Sequence, residues 1–361
     1  MNNFEALVSL NLIPQIGSVR LKQLLSYFGE PQAIFKASCR DLAQLLGQRL
    51  GESIASFDRQ CLENDLVSAK KSGIKIITCF DQDYPRLLKE IPGRPIVLYI
   101  LGNVTVQDNL AVGIVGSRRA SFYGLSSAEI FASALCAQGI TIVSGMARGV
   151  DTYAHRGALK AKGRTIAVIG SGFNHIYPAE NMGLAKEISS CGAVISEFPM
   201  ETKPLAQNFP RRNRLISGLS LGVLITEAAK NSGALITADF ALEQGREVFA
   251  LPGRIDAVGS MGTNALLKQG AKLVTCCDDI LEELNLAVGS MKKIEPVPEK
   301  QEVVCGKEEA RLYEYITVQP VAIDDLIQKS SFSSSQVLNL ILRLQFKKLI
   351  KALPGKQFMR N

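Results

Sequence analysis

The sequence has few of the residues from which metal centres and disulfide frameworks are built. It contains only two histidines, His155 and His175, and none of its eight cysteines is spaced as a CxxC pair. Cys276 and Cys277 are adjacent, which does not match the usual spacing of a structural zinc site. We therefore expect no metal and no cofactor, and we interpret the cysteines as small apolar residues in a reducing compartment.

Long apolar segments are also missing. No stretch of about 20 apolar residues is free of charges or turn-forming residues, so we expect no membrane span. The first twelve residues include Glu5 and lack the cationic and continuous apolar regions of a signal peptide. These absences favour a cytoplasmic protein.

The common motifs of nucleotide binding and hydrolysis are absent as well. There is no GxxxxGK[ST] loop, and Gly170-Ser171-Gly172 lacks the third glycine of a GxGxxG fingerprint. The GxSxG elbow of serine hydrolases is missing. Asp151 and His155 are spaced for an acid–base pair, but a structural hydrogen bond or a helix cap is the favoured interpretation. We therefore predict that the protein is not an enzyme.

Two acidic residues follow predicted strands, Glu197 and Glu227. Paired carboxylates could serve in catalysis. Without a metal or a sugar site, we interpret them as residues that orient arginines or loop amides.

What the sequence does have is ordinary globular composition with a mild basic excess. Its 361 residues are 47% hydrophobic and 21% charged, and the formal net charge is +7. This length predicts two or three domains. The charge is compatible with an anionic partner or with a slightly basic enzyme, and does not by itself distinguish them.

The hydrophobic patterns divide the chain into four segments. Residues 1–65 show helical spacing, and Ile13-Pro14-Gln15-Ile16-Gly17-Ser18 resembles a partial helix-hairpin-helix turn, although a simple helical packing domain is the favoured alternative. Residues 66–285 are predicted to form the core. Within it, residues 66–105 are predicted to contain a short strand at 74–78 and several turns. Residues 286–306 are a polar, proline-bearing linker. Residues 307–361 read as three helices and a hairpin, with a serine cap at 333–335, which predicts a winged-helix domain that binds duplex DNA or another protein.

Short apolar strands alternate with helices through the core. The strands are predicted at 110–115, 141–143, 165–169, 193–196, 223–226, 247–250 and 272–274. The helices are predicted at 123–138, 152–162, 179–189, 212–219, 234–244 and 263–268. This alternation predicts an α/β fold, a doubly wound parallel sheet with helices on both faces.

The loops that follow these strands share small residues, glycines and arginines. Ligands bind at the carboxyl ends of parallel strands, glycine lets an anion approach the backbone, and amides at helix N-termini attract phosphates. Several such loops at one edge predict a site for a row of phosphates, as in a polynucleotide. We assign to this DNA site the residues Gly116, Ser117, Arg118, Ser144, Gly145, Arg148, Gly170, Ser171, Gly172, Phe209, Arg211, Arg212, Arg214, Ser232 and Gly233.

Two of these assignments have an equally simple structural interpretation. Phe209 could stack on a base, or it could be a core residue that anchors its loop. Arg211, Arg212 and Arg214 could contact DNA, or they could form a solvated basic helix face.

The motifs together resemble the DprA/Smf family (DNA-processing protein A). They are Ile114-Val115-Gly116-Ser117-Arg118, Ser144-Gly145-Met146-Ala147-Arg148-Gly149-Val150-Asp151 and Phe209-Pro210-Arg211-Arg212-Asn213-Arg214-Leu215-Ile216-Ser217-Gly218-Leu219-Ser220, with Ser232-Gly233-Ala234-Leu235 after them. The resemblance covers residues 70–285. It implies an extended Rossmann-like core that binds single-stranded DNA without cleaving it, with Arg118 as the central phosphate-binding residue.

The resemblance also implies partners. These are RecA, which such proteins load onto incoming strands in natural transformation, single-strand-binding protein, and a second copy of the chain, with a dimer face near 262–274. Two alternatives are a phosphoribohydrolase-type enzyme and an adaptor that binds through its winged helix. The enzyme would carry a PGGxGTxxE run, whereas this chain has Asn231-Ser232-Gly233-Ala234-Leu235-Ile236-Thr237.

Overall fold

The computed structural model describes residues 1–286, 306–317, 320–347, 349–353 and 355–360. It divides into two compact units, Met1–Gly289 and Ser290–Asn361. Most of the predicted linker, residues 287–305, lies outside the described residues. No helix among those described is long and apolar enough to span a membrane.

The first unit begins with six helices, whose starts are fixed by local capping. These are α1 Asn3–Leu12, α2 Ser18–Phe28, α3 Pro31–Ile34, α4 Cys39–Leu46, α5 Gln48–Ala55 and α6 Arg59–Lys71. The side chains of Asn2, Ser38 and Asp58 each accept a backbone N–H in the first turn of the helix that follows. The last helix continues past residue 65, where the sequence pattern placed the boundary, and this helical segment packs against the sheet through α1 and α6.

A nine-stranded sheet forms the rest of the unit. The strands are β1 Lys75–Thr78, β2 Val97–Gly102, β3 Ala111–Val115, β4 Thr141–Ser144, β5 Thr165–Val168, β6 Ala193–Ser196, β7 Gly222–Ile225, β8 Glu247–Ala250 and β9 Lys272–Leu273. Their order is β1-β2-β6-β5-β4-β3-β7-β8-β9. From β6 to β9 all neighbours are parallel, whereas β2 is antiparallel to β1 and β6. The predicted doubly wound parallel sheet is confirmed.

The strand β2 was not predicted. It begins two residues after Pro95, and the prolines that precede it led us to assign residues 79–105 to turns. Val97 to Ile100 are nonetheless buried, and the strand joins the edge strand β1 to the parallel sheet.

Helices cover both faces of the sheet. They are α7 Arg86–Glu90, α8 Phe122–Ala137, α9 Val150–Lys160, α10 Met182–Cys191, α11 Asn208–Gly218, α12 Gly233–Glu243, α13 Met261–Lys268 and α14 Cys277–Glu283. One hydrophobic cluster includes residues of the helical segment, α11 and α12, and a second lies under α8, α9 and α14. The fold therefore places the loops at the carboxyl ends of the strands along one edge of a buried sheet.

The second unit is a winged helix. It contains α15 Lys307–Tyr315, α16 Ile323–Ser330 and α17 Ser334–Phe346, with β10 Val321–Ala322, β11 Ile350–Leu353 and β12 Gln357–Arg360 in the order β10-β12-β11. Ser333 caps α17 as predicted, and Leu312, Leu326, Leu340 and Phe358 are buried in the core of the unit. The three helices and the hairpin confirm the sequence prediction, and β10 adds a short third strand.

Candidate nucleic-acid interface

A cleft opens where the direction of the sheet's connectivity changes. The strands β4, β5 and β6 lie on one side of β3, and β7, β8 and β9 lie on the other. The loops after β3 and β7 therefore run apart, which is where open α/β sheets bind ligands. The cleft has a volume of about 540 Å³, and its walls come from residues 115–119, 147–151, 206–216 and 232–237.

The loop after β3 forms one wall, and its backbone is held by hydrogen bonds to the loop after β7 and to the start of α9. The amide of Ser117 donates to the carbonyl oxygen of Glu227 at 2.7 Å, and the carbonyl of Ser117 accepts from the amide of Val150 at 3.3 Å. A Cβ on Gly116 would lie 2.7 Å from Cγ2 of Val150, so this position requires glycine. The held backbone presents Arg118 and Arg119 to solvent.

The carboxylate of Glu227 holds the end of the same loop. It accepts the amide of Ser121 at 3.0 Å and also the Ser121 hydroxyl. Glu197, after β6, forms an ion pair with Arg214. The structure thus confirms that one of these carboxylates orients a loop amide and the other an arginine.

Arg118 and Arg119 are the uncompensated cations of the cleft. Neither guanidinium forms an ion pair or a hydrogen bond with another described residue, although the Arg118 guanidinium carbon lies 5.0 Å from the ring centre of Phe209. Because exposed cations that are not held in an ion pair attract anions, this wall is suited to phosphate.

Phe209 has features of both interpretations, since it is anchored like a core residue and also exposed to the cleft. Its ring is half-buried: Gly170 approaches it from below, with an ideal Cβ only 3.0 Å from Cδ1, and Tyr177 packs edge-on at 5.9 Å between ring centres. The ring also lines the cleft. It is therefore anchored in the fold and still accessible to a ligand, an arrangement that pre-positions an aromatic surface.

Arg212 lies beneath the cleft with only 3% of its surface exposed. Its Nη1 donates to the carbonyl of Val168 at 2.9 Å, and Nε finds no partner among the described residues. Burial lowers the pKa of Arg212 to about 10, while the nearby carboxylate of Asp151 opposes this shift. The guanidinium therefore stays charged at neutral pH and adds a buried positive charge under the site.

Gly145 leaves room for the guanidinium of Arg212 and is not among the residues that line the cleft. A Cβ at this position would overlap Nη1 of Arg212. Gly145, which the sequence placed among the DNA contacts, is therefore not among the residues that line the cleft.

Three of the predicted arginines have other partners. Arg148 forms a bidentate ion pair with Glu180 on the surface, in which Nε and Nη2 lie 2.7 and 2.8 Å from the two carboxylate oxygens. Arg214 is mostly buried against Glu197. Arg211 is exposed and places its guanidinium carbon 5.2 Å from the ring centre of Phe198, outside the cleft.

The small residues after β4 and β5 are structural. The hydroxyl of Ser144 is buried and donates to the carbonyl of Ile114 at 2.6 Å. Ser171 is buried, and its carbonyl accepts from the hydroxyl of Ser196 at 2.7 Å. A Cβ on Gly172 would overlap the carbonyl oxygens of Pro199 and Met200. These residues, with Gly170, shape the edge without facing the cleft.

The start of α12 forms the opposite wall. Ser232 caps the helix by accepting the amide of Ala234 at 3.3 Å, and Gly233 has open space around its Cα. Asn213 donates to the carbonyl of Gly233 at 3.2 Å and ties α11 to this turn. The amides at a helix N-terminus carry partial positive charge, which favours an anion here.

Several lining residues were not assigned to the site from the sequence. Arg119 is one of the loop arginines from which the phosphate site was predicted, although it was not among the residues assigned to the site. Thr237 lies one helical turn after Gly233, so this position carried a detectable signal. Asn213 follows Arg212 directly. Pro210 and Ile236 line the cleft without any pattern that distinguishes them from ordinary helix residues.

Asp151 and His155 each contact a group of the protein that holds the local structure. Asp151 accepts the amide of Ala147 at 3.3 Å at the start of α9, and Nδ1 of His155 lies 2.7 Å from the hydroxyl oxygen of Thr165. Complete burial lowers the pKa of His155 to about 3. The predicted structural role is confirmed. No cluster of potential metal ligands occurs in the part of the chain that the structure describes.

Comparison with known proteins identifies the family of the chain. Residues 75–285 match the family described as DNA recombination-mediator protein A, and residues 296–356 match a DprA winged helix domain. Protein Smf of Escherichia coli (strain K12) is 37% identical, over 93% of both chains. DNA processing protein DprA of Bacillus subtilis (strain 168) is 44% identical over 61% of this chain and 74% of its own length.

Two solved structures share the fold. DNA processing protein A from Streptococcus pneumoniae superposes with a TM-score of 0.68 at 35% identity, over 78% of this chain and 98% of that one. The protein from Helicobacter pylori, studied for its single-stranded DNA binding mode, has a TM-score of 0.53 at 31% identity, over 59% and 97%. The chain therefore belongs to the DNA recombination-mediator protein A family, whose members include the proteins named DprA and Smf.

Proposed function

We propose that this protein is a single-stranded DNA-binding recombination mediator and that the cleft between β3 and β7 holds the DNA backbone. One observation carries the proposal: two exposed arginines without acidic partners stand beside an anchored aromatic ring and over a buried arginine. The related protein from Helicobacter pylori, studied for its single-stranded DNA binding mode, supports it.

The cleft suits a single strand better than a duplex. Phosphates would meet Arg118, Arg119 and the amides at the start of α12, while an unpaired base would stack against Phe209. In a duplex the bases are paired and stacked inside the helix, so that no base face reaches the ring. The strand would be held and not cut, because Asp151, the one carboxylate among the described lining residues, is buried and bonded to a backbone amide.

A salt series tests this function. Fluorescence anisotropy of a labelled oligo-dT strand should show tight binding that a duplex competitor of equal length displaces poorly. The logarithm of affinity should fall with the logarithm of salt by roughly 0.7 for each phosphate neutralised. Equal competition by duplex, or affinity that does not change with salt, would contradict the proposal.

The finer role proposed for the bound strand is delivery to RecA during natural transformation, in the presence of single-strand-binding protein. In such an assay, RecA assembly on a strand already coated with single-strand-binding protein should become faster when this protein is added. Unchanged assembly at saturating protein would contradict the mediator role while leaving DNA binding intact.

We also propose that the protein acts as a homodimer. Exposed apolar side chains gather at the β8–β9 end of the sheet, on α12, on the segment before α13 and on β9. They are Leu242, Ile255, Val258, Met261 and Leu273. Exposed apolar side chains on neighbouring elements are typical of an interface with another protein chain, and Leu273 lies in the region near 262–274 expected for the dimer.

A further inference from the structure

We propose that a second groove, between the helical segment and the sheet, binds an acidic peptide with large apolar side chains, supplied by a partner protein. The groove lies within the first unit. Its walls are α2, the residues after β1, and the segment that leads into β2. Its volume is about 680 Å³, larger than that of the proposed DNA cleft and in the range of ligand-binding sites.

The floor of the groove is apolar. Leu21 and Leu25 face it from α2, and Ile91 and Ile96 face it from the segment before β2. At its rim Val19 is 76% exposed. Because Leu21, Ile91 and Ile96 are already buried, an apolar side chain in the groove would remove from water mainly the exposed surface of Leu25 and Val19, which favours binding.

The aromatic residue at the rim adds to this surface. Phe80 is 56% exposed and directly follows Cys79, which is buried in the wall. Large aromatic side chains left in water are frequent anchors of protein interfaces.

Three cations stand around this floor without a compensating carboxylate. Lys89 donates to the backbone carbonyl of Asp81 at 3.2 Å, and Arg94 donates to that of Lys89 at 3.3 Å, so both bonds go to neutral groups. Lys22 projects from α2 and forms no ion pair with another described residue. No aspartate or glutamate is among the described residues that line the groove.

Two acidic residues adjoin the groove without lining it, and both are engaged elsewhere. Asp81 directly follows Phe80, and its carboxylate accepts the amide of Thr78 at 2.7 Å. Glu90, next to Lys89, contacts Arg86 and Arg246 at 3.9 Å each. The positive charge of the groove is therefore available to a ligand, and charge complementarity identifies that ligand as acidic.

The shape favours a peptide over a DNA strand. A smaller depression continues the groove along α2, sharing Val19, Lys22 and Ser26 and reaching the exposed ring of Tyr27. A single strand of DNA presents a regular row of phosphates and needs cations along a track, with successive aromatic rings for its bases. Here the cations surround one apolar floor, which matches an extended peptide whose apolar side chain enters the floor while its carboxylates meet the rim.

The experiment uses the full-length protein and a fluorescein-labelled peptide, Asp-Asp-Glu-Leu-Leu-Phe, followed by anisotropy. The peptide should bind, and a version with lysine in place of each acidic residue should not. The double variant K22E/K89E should weaken binding at least tenfold, and F80A several-fold. The control K36E/R49E makes the same charge change at exposed, unpaired positions of the helical segment and should leave affinity within about twofold.

Competition with oligo-dT separates this groove from the DNA cleft. In the R118A/R119A background, which disables the cleft, oligo-dT should fail to displace the peptide. If the strand displaces it there, the groove is a nucleic-acid site, as a helix-hairpin-helix interpretation of residues 13–18 would have it, and the peptide proposal is overturned. Absence of peptide binding, or equal binding by K22E/K89E, overturns it as well.

Discussion

Arg212 is charged, buried and close to Asp151, and Gly145 provides the space that its guanidinium occupies. Sequence reasoning identified both residues but gave them the same role, as direct contacts with DNA. The difference between them depends on which side chain points into which space. No spacing rule contains that information, because β4 and α11 are far apart in the chain.

The glycine at 145 offers a clear prediction. Gly145→Ala should displace the Arg212 guanidinium from the carbonyl of Val168 and leave Asp151 less well compensated, at a cost of about 1–3 kcal/mol in the free energy of unfolding. The affinity for single-stranded DNA should fall as well. Urea titration measures the stability.

A second glycine provides the matched control. An alanine Cβ at Gly183, on α10, would meet nothing within 4 Å, so Gly183→Ala should leave stability unchanged or raise it by up to ~1 kcal/mol. If both variants unfold at the same urea concentration, a glycine at position 145 is not required to make room for Arg212, and the prediction is wrong.

His155 is the second residue whose environment determines its behaviour. The hydroxyl of Thr165 donates to the carbonyl of Ile142 at 2.8 Å, so Nδ1 of His155 must be the donor to Thr165, and Nε2 is left without a partner among the described residues. Protonation of Nε2 would place a charge in the core, near the charged Arg212. The neutral ring is therefore favoured in the folded state.

This predicts a pH dependence of stability. Because the pKa of His155 is about 3 when folded and about 6.5 when unfolded, the unfolded chain binds the additional proton, and stability falls as pH decreases below 6.5. Between pH 7 and pH 5 the loss from this group is about 2 kcal/mol.

The variant His155→Gln should remove most of that loss, measured as the difference in unfolding free energy at the two pH values. His175→Gln, at the partly exposed second histidine, is the control and should retain it. An identical pH slope in His155→Gln and the unsubstituted protein would show that His155 is not the responsible group.

At the scale of elements, α11 shows what a sequence pattern can and cannot provide. The run Arg211, Arg212 and Arg214 was recognised as basic, and its helix was predicted at 212–219, whereas it spans Asn208–Gly218. Successive helical residues are rotated by about 100° around the axis. The three guanidinium groups therefore reach Phe198, the floor of the cleft and Glu197, respectively. The composition was predictable, but the division of roles required the packing.

The strands were predictable for a related reason. Buried parallel strands are short and apolar, and every strand from β3 to β9 was found within two residues of its ends. The strand β2 was not predicted, because the three prolines that precede it, Pro85, Pro92 and Pro95, indicated a turn-rich segment. Proline excludes a strand only at its own position in the ladder.

The winged helix exposes an apolar face on its third helix. Leu338, Leu342 and Phe346 lie one turn apart on α17 and are all exposed. Base edges in the major groove are read mainly by polar and charged side chains, so this face is not suited to reading duplex DNA.

A truncation tests whether the element is needed for the proposed DNA binding. The described residues that line the cleft all lie between 115 and 237. A chain that ends at Asn285 should therefore keep its oligo-dT affinity within about threefold, measured by anisotropy after circular dichroism has shown that it is folded. A loss of tenfold or more would favour the adaptor alternative, in which the winged helix does the binding.

At the scale of the whole molecule, the proposed dimer rests on the apolar surface at the β8–β9 end. Leu242→Glu/Leu273→Glu places charges on two elements of that surface and should convert a dimer to a monomer, measured by light scattering during size-exclusion chromatography. The control is Leu338→Glu, at a leucine 54% exposed, compared with 60% for Leu242, but on the winged helix. A monomeric unsubstituted protein, or a double variant that remains dimeric, would contradict the assignment.

Arg118 and Arg119 in the cleft are the residues that we propose hold single-stranded DNA. The most direct measurement compares the oligo-dT affinity of R118A/R119A with that of R49A/R59A, which removes the same charge from exposed arginines of the helical segment. The cleft predicts a loss on the order of tenfold or more for the first variant, with a shallower salt dependence, and a change within about twofold for the second. If the two variants weaken binding equally, the protein attracts DNA through its overall charge and the cleft is not the binding site.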